Sequence, residues 1–469
     1  MSAPIPPPSS RASDELTTGG VLLTLAATTL GLALQYSSGL LSDIGIAGLT
    51  LAFAEAWAAQ GRWQSKATAN AASIAGLCIG AEVAMLLTDD AAQLRGHAGQ
   101  MFVALSVAAG CVAGLCFAVR RNLHARLLAC IALLAGISGW WVLRQSAVPG
   151  IDVLIFQHDA AAALLRGTSP YSIHFRDPYP PVASALYYGP GVSVNGVLQF
   201  GYPYMPLTLL LTLPGYLLGD VRYASLCAVV LAACLIGFAR PTWSGVVGAV
   251  LLLLSPAVPT MIVNGWNDSF VVLFVALAWF CHCRKPAALP YVIGLLLVTK
   301  QYLVVSAPLV LLLVDRPWHW RKLWGFFWRA ALAGALVTLP FVLWDARGFL
   351  ASVVTLQMRQ PFRPDALSYI AWLNPAEPER WILLPFVLNT VACIVMLRRS
   401  RSEPVSFAAA MVLTMLPFFA FNKQAFLNYY FLVLGCICCA IASGTPWRRE
   451  PEPRTYAPGT RGEAGLRLL

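Results

Sequence analysis

The segment 151–206 begins IDVLIFQHDAAAALLRGTSPY (151–171) and ends YPYMP (202–206), and it lies between two long apolar parts of the chain. It carries aspartates, histidines, several tyrosines and many prolines. Such a segment does not cross a bilayer, because lipid cannot satisfy the backbone groups that prolines and polar turns leave free. It therefore predicts a surface region inserted into a membrane-embedded protein.

The composition outside this segment is that of an integral membrane protein. Of 469 residues, 58% are hydrophobic and 11% are charged, whereas about 25% are charged in soluble domains. Apolar runs recur that are long enough to cross a hydrocarbon core of about 30 Å as helices. The fold class predicted is an all-α polytopic membrane protein with about 14 transmembrane helices and amphipathic helices on the outer surface. The predicted spans are 21–41, 44–60, 68–88, 99–119, 125–143, 222–239, 243–262, 268–283, 287–299, 302–314, 324–344, 381–397, 405–421 and 427–444.

The basic residues form short clusters between these spans: RWQSK (62–66), RRNLHAR (120–126), Arg284 with Lys285, DRPWHWRK (315–322) and RRSR (398–401). The positive-inside rule places such clusters in the cytoplasm, so the net charge of +11 indicates topology rather than nucleic-acid binding. Both termini are then predicted to be cytoplasmic, and the loop 144–219 to be outside. This assignment requires that 204–219 be re-entrant or lie along the outer surface.

Asp152 opens a predicted amphipathic helix whose apolar stripe is Val153, Phe156, Ala160, Leu164 and Leu165. A helix lying in the interface would hold this carboxylate where water and a lipid-linked substrate meet. The alternative is an acid placed at the helix N-terminus by the helix dipole. Asp159, on the same helix, is either a pocket residue or a solvated, paired side chain.

Four cations are predicted on the same outer face as Asp152. Lys300 lies between two short apolar runs, where an ionisable residue is a functional candidate, although it could also be a lysine that snorkels at a helix end. Arg359 and Arg363 flank a proline and an aromatic residue at a spacing that suits phosphate oxygens. They could equally pair with Asp345, Asp365 or anionic headgroups. Lys423 precedes the last span.

One acid and several cations on one membrane face suit a reaction whose leaving group is a lipid phosphate. The cations would stabilise the departing charge, and the acid would deprotonate an acceptor hydroxyl. No cofactor is predicted: a divalent metal is possible but not implied, because the outer loops lack a close cluster of acids.

The order of these motifs resembles the polytopic C-fold glycosyltransferases (the GT-C superfamily), which use polyprenyl-phosphate sugars, and in particular the bacterial alpha-mannosyltransferase branch (glycosyltransferase family 87-like). That family's first outer loop has an Asp, an amphipathic helix, G-x-x-P-Y and a tyrosine-proline-proline stretch. Here these are Asp152, Gly167 with Pro170 and Tyr171, and YPP (179–181) or YPYMP (202–206). NGWND (264–268) follows two spans later, where the family commonly has a glycine-glutamine pair, and Lys300 lies between short helices.

The resemblance implies roles for these residues. Asp152 would be the general base, and the donor phosphate would bind Lys300 and Arg363, with Arg359 and Lys423 as further candidates. The acceptor or pocket residues would be Asp159, Tyr171, Asn267 and Asp268, and no metal site is expected.

The resemblance also implies a domain organisation and partners. A membrane extension (21–124) would precede a GT-C-like catalytic module (125–444), with disordered tails at 1–20 and 445–469. The partners would be a polyprenyl-phosphate-linked sugar donor, a glycolipid or polysaccharide acceptor and the lipid bilayer, with no nucleic acid. The location would be a bacterial inner (plasma) membrane, with the active site on its outer face.

Two other functional interpretations remain open on sequence alone. A transporter or flippase for lipid-linked sugars also has many spans with scattered polar residues, but transporters tend to show internal repeats and midplane sites. A non-catalytic membrane scaffold would not need a loop this rich in Asp, His, Tyr and Pro.

Overall fold

The computed structural model describes residues 16–60, 70–88, 96–118, 123–240 and 242–443. The predicted tail 445–469 and residues 1–15 lie outside the described part. The prediction of disorder up to residue 20 is wrong for residues 16–20, because Leu16 is buried and the Thr17 hydroxyl accepts from the Gly20 N–H to cap the first helix.

Helices dominate the described chain, and every predicted apolar span contains helical structure. Before the surface region, helices α1 to α5 are Thr18–Tyr36, Asp43–Ala58, Ala71–Thr88, Gly96–Ala118 and His124–Gln145. Within it, α6, α7 and α8 are Asp152–Leu165, Pro181–Tyr188 and Pro206–Leu217. After it, α9 to α14 are Arg222–Ala239, Trp243–Leu254, Ala257–Val263, Asp268–Arg284, Leu289–Leu297 and Trp320–Trp344. The last helices, α15 to α20, are Ala346–Leu350, Leu356–Arg359, Tyr369–Leu373, Leu384–Arg399, Pro404–Ala420 and Leu427–Ser443.

Several of these helices are long and apolar enough to cross a membrane, so the chain is a helical membrane protein. Six helices in the described ranges meet that test by length and composition, or seven if α10 and α11, which bend by 56° at their junction, form one span. Five of the other predicted spans, in the described ranges, correspond to shorter apolar helices. One of them, Gln301–Leu313, is a 3-10 helix with Pro308 inside it.

The surface region carries a small β-sheet of three two-residue strands, which is a minor addition to an all-α fold. Strands β1 (Phe175–Arg176), β2 (Ser193–Val194) and β3 (Val197–Leu198) pair antiparallel in the order β1-β3-β2. Asn195 and Gly196 both have positive φ, as the two-residue turn of a tight hairpin requires.

The predicted apolar stripe of α6 is also partly wrong. Leu165 is 53% exposed, and the buried residues of the helix are Leu154, Phe156, Gln157, Ala160, Ala161 and Ala163. The reason is that α6 packs against α8 and an aromatic cluster containing Phe175 and Phe200, so more than one of its faces is covered.

The main hydrophobic core crosses the predicted domain boundary at residue 124. It includes residues of α1, α2 and α3 together with residues of α10, α19 and α20. The first helices are thus packed into the same bundle as the rest of the described chain.

The polar residues of interest lie at one end of this bundle. Asp268 begins α12, Arg222 begins α9 and Asn428 lies in the first turn of α20. Arg284 ends α12 and lies about 25 Å from Asp268, at a rise of about 1.5 Å per residue. The surface region covers this end of the bundle, because Gln157 of α6 donates to the Gly265 carbonyl and Gln301 donates to the Pro203 carbonyl.

Candidate active site

Asp152 occupies the first turn of α6, and two tyrosines from the surface region hold its carboxylate. Tyr188 donates to Oδ2 at 2.6 Å, and Tyr179 donates to Oδ1 at 3.2 Å. The Val153 N–H donates to Oδ1 at 2.8 Å. These contacts fix the orientation of the carboxylate and leave further lone pairs for a substrate hydroxyl.

The surroundings of Asp152 make it a stronger base than a solvated aspartate. Burial raises the pKa of its carboxyl above the usual value, because removal from water disfavours the charged form. The hydroxyls of Tyr188 and Tyr179 and the positive charge of Arg363 oppose this shift in pKa. Arg363 is therefore an electrostatic neighbour of Asp152.

A second carboxylate, Asp268, lies fully buried at the start of α12 and forms an ion pair with Lys300. Lys300 Nζ donates to Asp268 Oδ2 at 2.6 Å. Asp268 also accepts from Tyr302 at 2.6 Å and from Asn428 at 2.8 Å. Charges this deeply buried are stable only when they are paired and hydrogen-bonded, so the four side chains form one unit.

Lys300 keeps two N–H groups beyond the one it gives to Asp268, because an ammonium has three donors. Its Nζ lies 5.7 Å from the ring centroid of Tyr204 and 5.5 Å from those of Tyr302 and Tyr429. Aromatic faces at this distance attract a cation. The rings thus enclose the ammonium without occupying its remaining donors.

Tyr204 links the two acidic centres. Its ring faces Lys300, and its backbone carbonyl accepts from the Tyr171 hydroxyl at 2.9 Å. Burial raises the pKa of Tyr204 well above its usual value, and the charges of Asp152 and Asp268 raise that pKa further. Asp152, Asp268 and Lys300 therefore belong to one site.

Arg363 lies beside this site, and two of its guanidinium nitrogens donate to a neighbouring carboxylate. Its Nε and Nη2 donate to Asp365 at 2.8 and 2.7 Å, the pairing that the sequence left open. The guanidinium lies 3.9 Å from the ring centroid of Tyr187 and 4.8 Å from that of Phe426. Nη1 makes neither Asp365 contact, so it can still donate to a phosphate oxygen.

The two other predicted phosphate ligands are arranged differently. Lys423 Nζ donates to the carbonyls of Gln357, Met358 and Gln360 at 3.1, 3.3 and 2.6 Å. All three of its donors are thereby used, and burial lowers its pKa. Lys423 therefore holds the end of α16 and is left out of the proposed phosphate site. Arg359 is exposed at the end of α16 and stays a candidate.

The four predicted acceptor residues have different surroundings. Asp159 is half-exposed and accepts from, or pairs with, its neighbour His158 at 2.9 Å, so it behaves as a solvated helix residue. Tyr171 is buried in the aromatic cluster, and its hydroxyl donates to the Tyr204 carbonyl. Asn267 is buried beside the Tyr202 hydroxyl. Only Asp268 is joined directly to the cations.

Five site residues were not predicted individually: Tyr179, Tyr188, Tyr204, Tyr302 and Asn428. Four are tyrosines that hold or face the charged groups. Tyr179 and Tyr204 belong to the YPP and YPYMP motifs, so the sequence did mark their neighbourhood. Their contacts join positions far apart in the chain, which no local pattern specifies.

In the described ranges, no group of three or more His, Cys, Asp and Glu side chains is close enough to hold a metal ion. The chain matches no protein-family model, no curated protein and no solved structure. The choice of reaction class therefore rests on the arrangement of the residues themselves.

The buried pair predicts a specific pattern of stabilities. Lys300→Met alone should destabilise the protein by about 3–5 kcal/mol, because it leaves Asp268 buried and uncompensated. Adding Asp268→Asn should restore most of that loss. Thermal unfolding of the purified single and double variants in detergent measures both effects. A double variant whose loss of stability is the sum of the losses in the two single variants would contradict the pairing.

Proposed function

We propose that this protein is an integral membrane glycosyltransferase. It would move a sugar, mannose or another hexose or pentose, from a polyprenyl-phosphate donor to an acceptor at the outer membrane face. The observation that carries the proposal is the arrangement around Tyr204 and Tyr429: a carboxylate of raised pKa, Asp152, shares one site with Lys300 and Arg363. A base and phosphate-binding cations in one site at the end of a membrane bundle suit transfer from a lipid phosphate.

The reaction is a single displacement with inversion at the sugar carbon. The acceptor hydroxyl oxygen attacks the anomeric carbon, and its proton passes to the Asp152 carboxylate. The bond from that carbon to the phosphate oxygen breaks, and its electron pair leaves with the polyprenyl phosphate. Asp152 then returns its proton to water.

Lys300 and Arg363 stabilise the charge that develops on the departing phosphate. Such donors are most effective when they are held in place before the reaction, because no reorganisation is then needed. Asp268 holds Lys300 and Asp365 holds Arg363, and each cation keeps donors for the phosphate. The acids beside these cations are therefore positioning residues.

The distribution of charged residues between the two ends of the bundle supports an outer location for the site. Arg284 donates to the Ala239 carbonyl and Arg316 to the Leu397 carbonyl, at the ends of α9 and α18. Both arginines belong to predicted cytoplasmic clusters, whereas Asp268 and Arg222 begin the helices at the other end. With about 14 spans, cytoplasmic termini and a bacterial inner membrane, the surface region would face the outside.

One feature favours the alternative, a transporter or flippase of lipid-linked sugars. Helices α10 and α11 form a bent pair, and broken helices line the binding sites of many transporters. A transporter would move the intact lipid-linked sugar across the bilayer, whereas a transferase releases free polyprenyl phosphate. The two activities are separable in proteoliposomes.

Asp152→Asn should abolish sugar transfer, because an amide cannot accept the acceptor's proton. Asp159→Asn is the matched control, since it makes the same change on the same helix at a residue that pairs only with His158. We expect a loss of at least about a hundredfold in kcat/KM for Asp152→Asn and little change for Asp159→Asn. Transfer from a labelled polyprenyl-phosphate sugar by purified protein measures this. Full activity of a folded Asp152→Asn variant would remove the proposed base.

The raised pKa of Asp152 predicts the acidic side of the pH profile. Activity needs the deprotonated carboxylate, so kcat/KM should fall as the pH drops through the pKa of Asp152, which lies above that of an ordinary aspartate. The Tyr188 hydroxyl lowers that pKa, so Tyr188→Phe should move the decline to higher pH. Tyr187→Phe, which keeps the ring beside Arg363, should leave it in place. A shift to lower pH in Tyr188→Phe would contradict this assignment.

A further inference from the structure

A separate polar site lies inside the helical bundle, on α3. Glu82 is fully buried, and neither of its carboxylate oxygens has a hydrogen-bond partner among the described residues. No salt bridge in the described part of the chain includes it. A buried carboxylate with no neighbouring positive charge or hydrogen-bond donor is strongly unfavourable. We therefore expect this side chain to bind a ligand or to carry a proton.

The carboxylate faces the break between α10 and α11. A Cβ on Gly31 of α1 would lie 3.5 Å from Glu82 Oε1, 3.2 Å from Ser255 Oγ and 3.7 Å from Pro256 Cδ. Glycine at this position thus leaves the approach between the carboxylate and the Ser255 hydroxyl open. Three helices supply the walls: α1, α3 and the end of α10.

The carbonyl end of α10 at this break favours positive charge. The last carbonyls of a helix have no intrahelical partner, and Pro256 has no N–H to offer the Leu252 carbonyl. The carbonyl end of α10 also carries the negative end of the helix dipole. Glu82, Ser255 and the carbonyls of this helix end therefore offer oxygen atoms to a cation, while the N–H groups that begin α11 lie at the same break and Ser255 Oγ accepts from the Ala257 N–H at 3.4 Å.

A small cavity reaches Ser255, although Glu82 itself does not line it. A cavity of about 40 Å³ is lined by Ser255 and by Leu86, which lies one turn after Glu82 on α3. Ser106 and Ser138 add two more hydroxyls to its wall. A cavity of this size holds at least one water or ion, since about 10–15 Å³ suffices for a water.

We propose that Glu82, Ser255 and the carbonyl end of α10 bind a monovalent alkali cation such as Na⁺. Hard cations prefer oxygen ligands, and a single positive charge balances the single carboxylate at the break. A divalent ion would leave an excess charge in the apolar interior. This proposal is independent of the proposed glycosyl transfer, and it gives the first helices of the chain a function.

The test uses the full-length protein purified in detergent. Its thermal unfolding temperature is measured as NaCl replaces choline chloride at constant ionic strength, and binding of radioactive ²²Na⁺ is measured directly. A ligand that binds the folded state raises the unfolding temperature in a saturable way. We expect such a rise in the parent protein and its loss in Glu82→Gln, a neutral side chain of the same shape that removes the unpaired charge.

A pair of alanine variants tests the geometry without changing charge. Gly31→Ala places a methyl group 3.2 Å from Ser255 Oγ and 3.5 Å from Glu82 Oε1 and should weaken Na⁺ binding by about tenfold or more. Gly80→Ala, on α3 where a Cβ meets nothing within 4 Å, should bind as the parent does.

Three results would overturn the proposal. The first is no saturable effect of Na⁺ on the folded parent protein, as expected if Glu82 is simply protonated. The second is an equal rise of the unfolding temperature in choline chloride. The third is undiminished ²²Na⁺ binding by folded Glu82→Gln.

Discussion

A membrane interior offers no water to hydrogen-bond a polar side chain, and this constraint accounts for the arrangement of the whole chain. Polar groups that cannot be left in lipid must pair with one another or lie at the ends of the helices. Asp268 and Lys300 do both, because they form a buried ion pair where α12 begins. Gln157 of α6 donates to the Gly265 carbonyl at 2.6 Å, and Gln301 donates to the Pro203 carbonyl at 2.7 Å. These bonds tie the surface region to the end of the bundle, and so bring Asp152 to the cations.

Much of the fold was predictable from the sequence for the same reason. Apolar runs in a membrane protein must form helices, so the predicted spans all contain helical structure. Finer features depend on packing. The hairpin at Asn195 and Gly196 follows from an Asn-Gly turn whose flanking strands are only two residues each, too short for an alternating pattern. The burial of α6 depends on α8 and the aromatic cluster, which a single helix pattern does not contain.

The candidate site was predictable only in part. The sequence predicted Asp152, Asp268, Lys300 and Arg363 on one face, and the structure places these four around Tyr204 and Tyr429. The sequence did not predict that Lys423 would donate all three of its N–H groups to backbone carbonyls, because this depends on how the loop after α16 folds. Nor did it foresee the tyrosines that hold Asp152, since Tyr179 and Tyr188 reach it from about 27 and 36 residues away. Long-range contacts of this kind are set by the fold.

The central claim is that the phosphate of a lipid-linked sugar binds Lys300 and Arg363 with its sugar turned toward Asp152. The most direct measurement is an experimental structure of the protein with a phosphonate analogue of a polyprenyl-phosphate sugar, which cannot be cleaved. The account predicts that the phosphonate contacts Lys300 Nζ and Arg363 Nη1. It also predicts that Asp152 lies about 3 Å from the position of the attacking hydroxyl. A phosphonate bound away from both cations, or a sugar out of reach of Asp152, would contradict it.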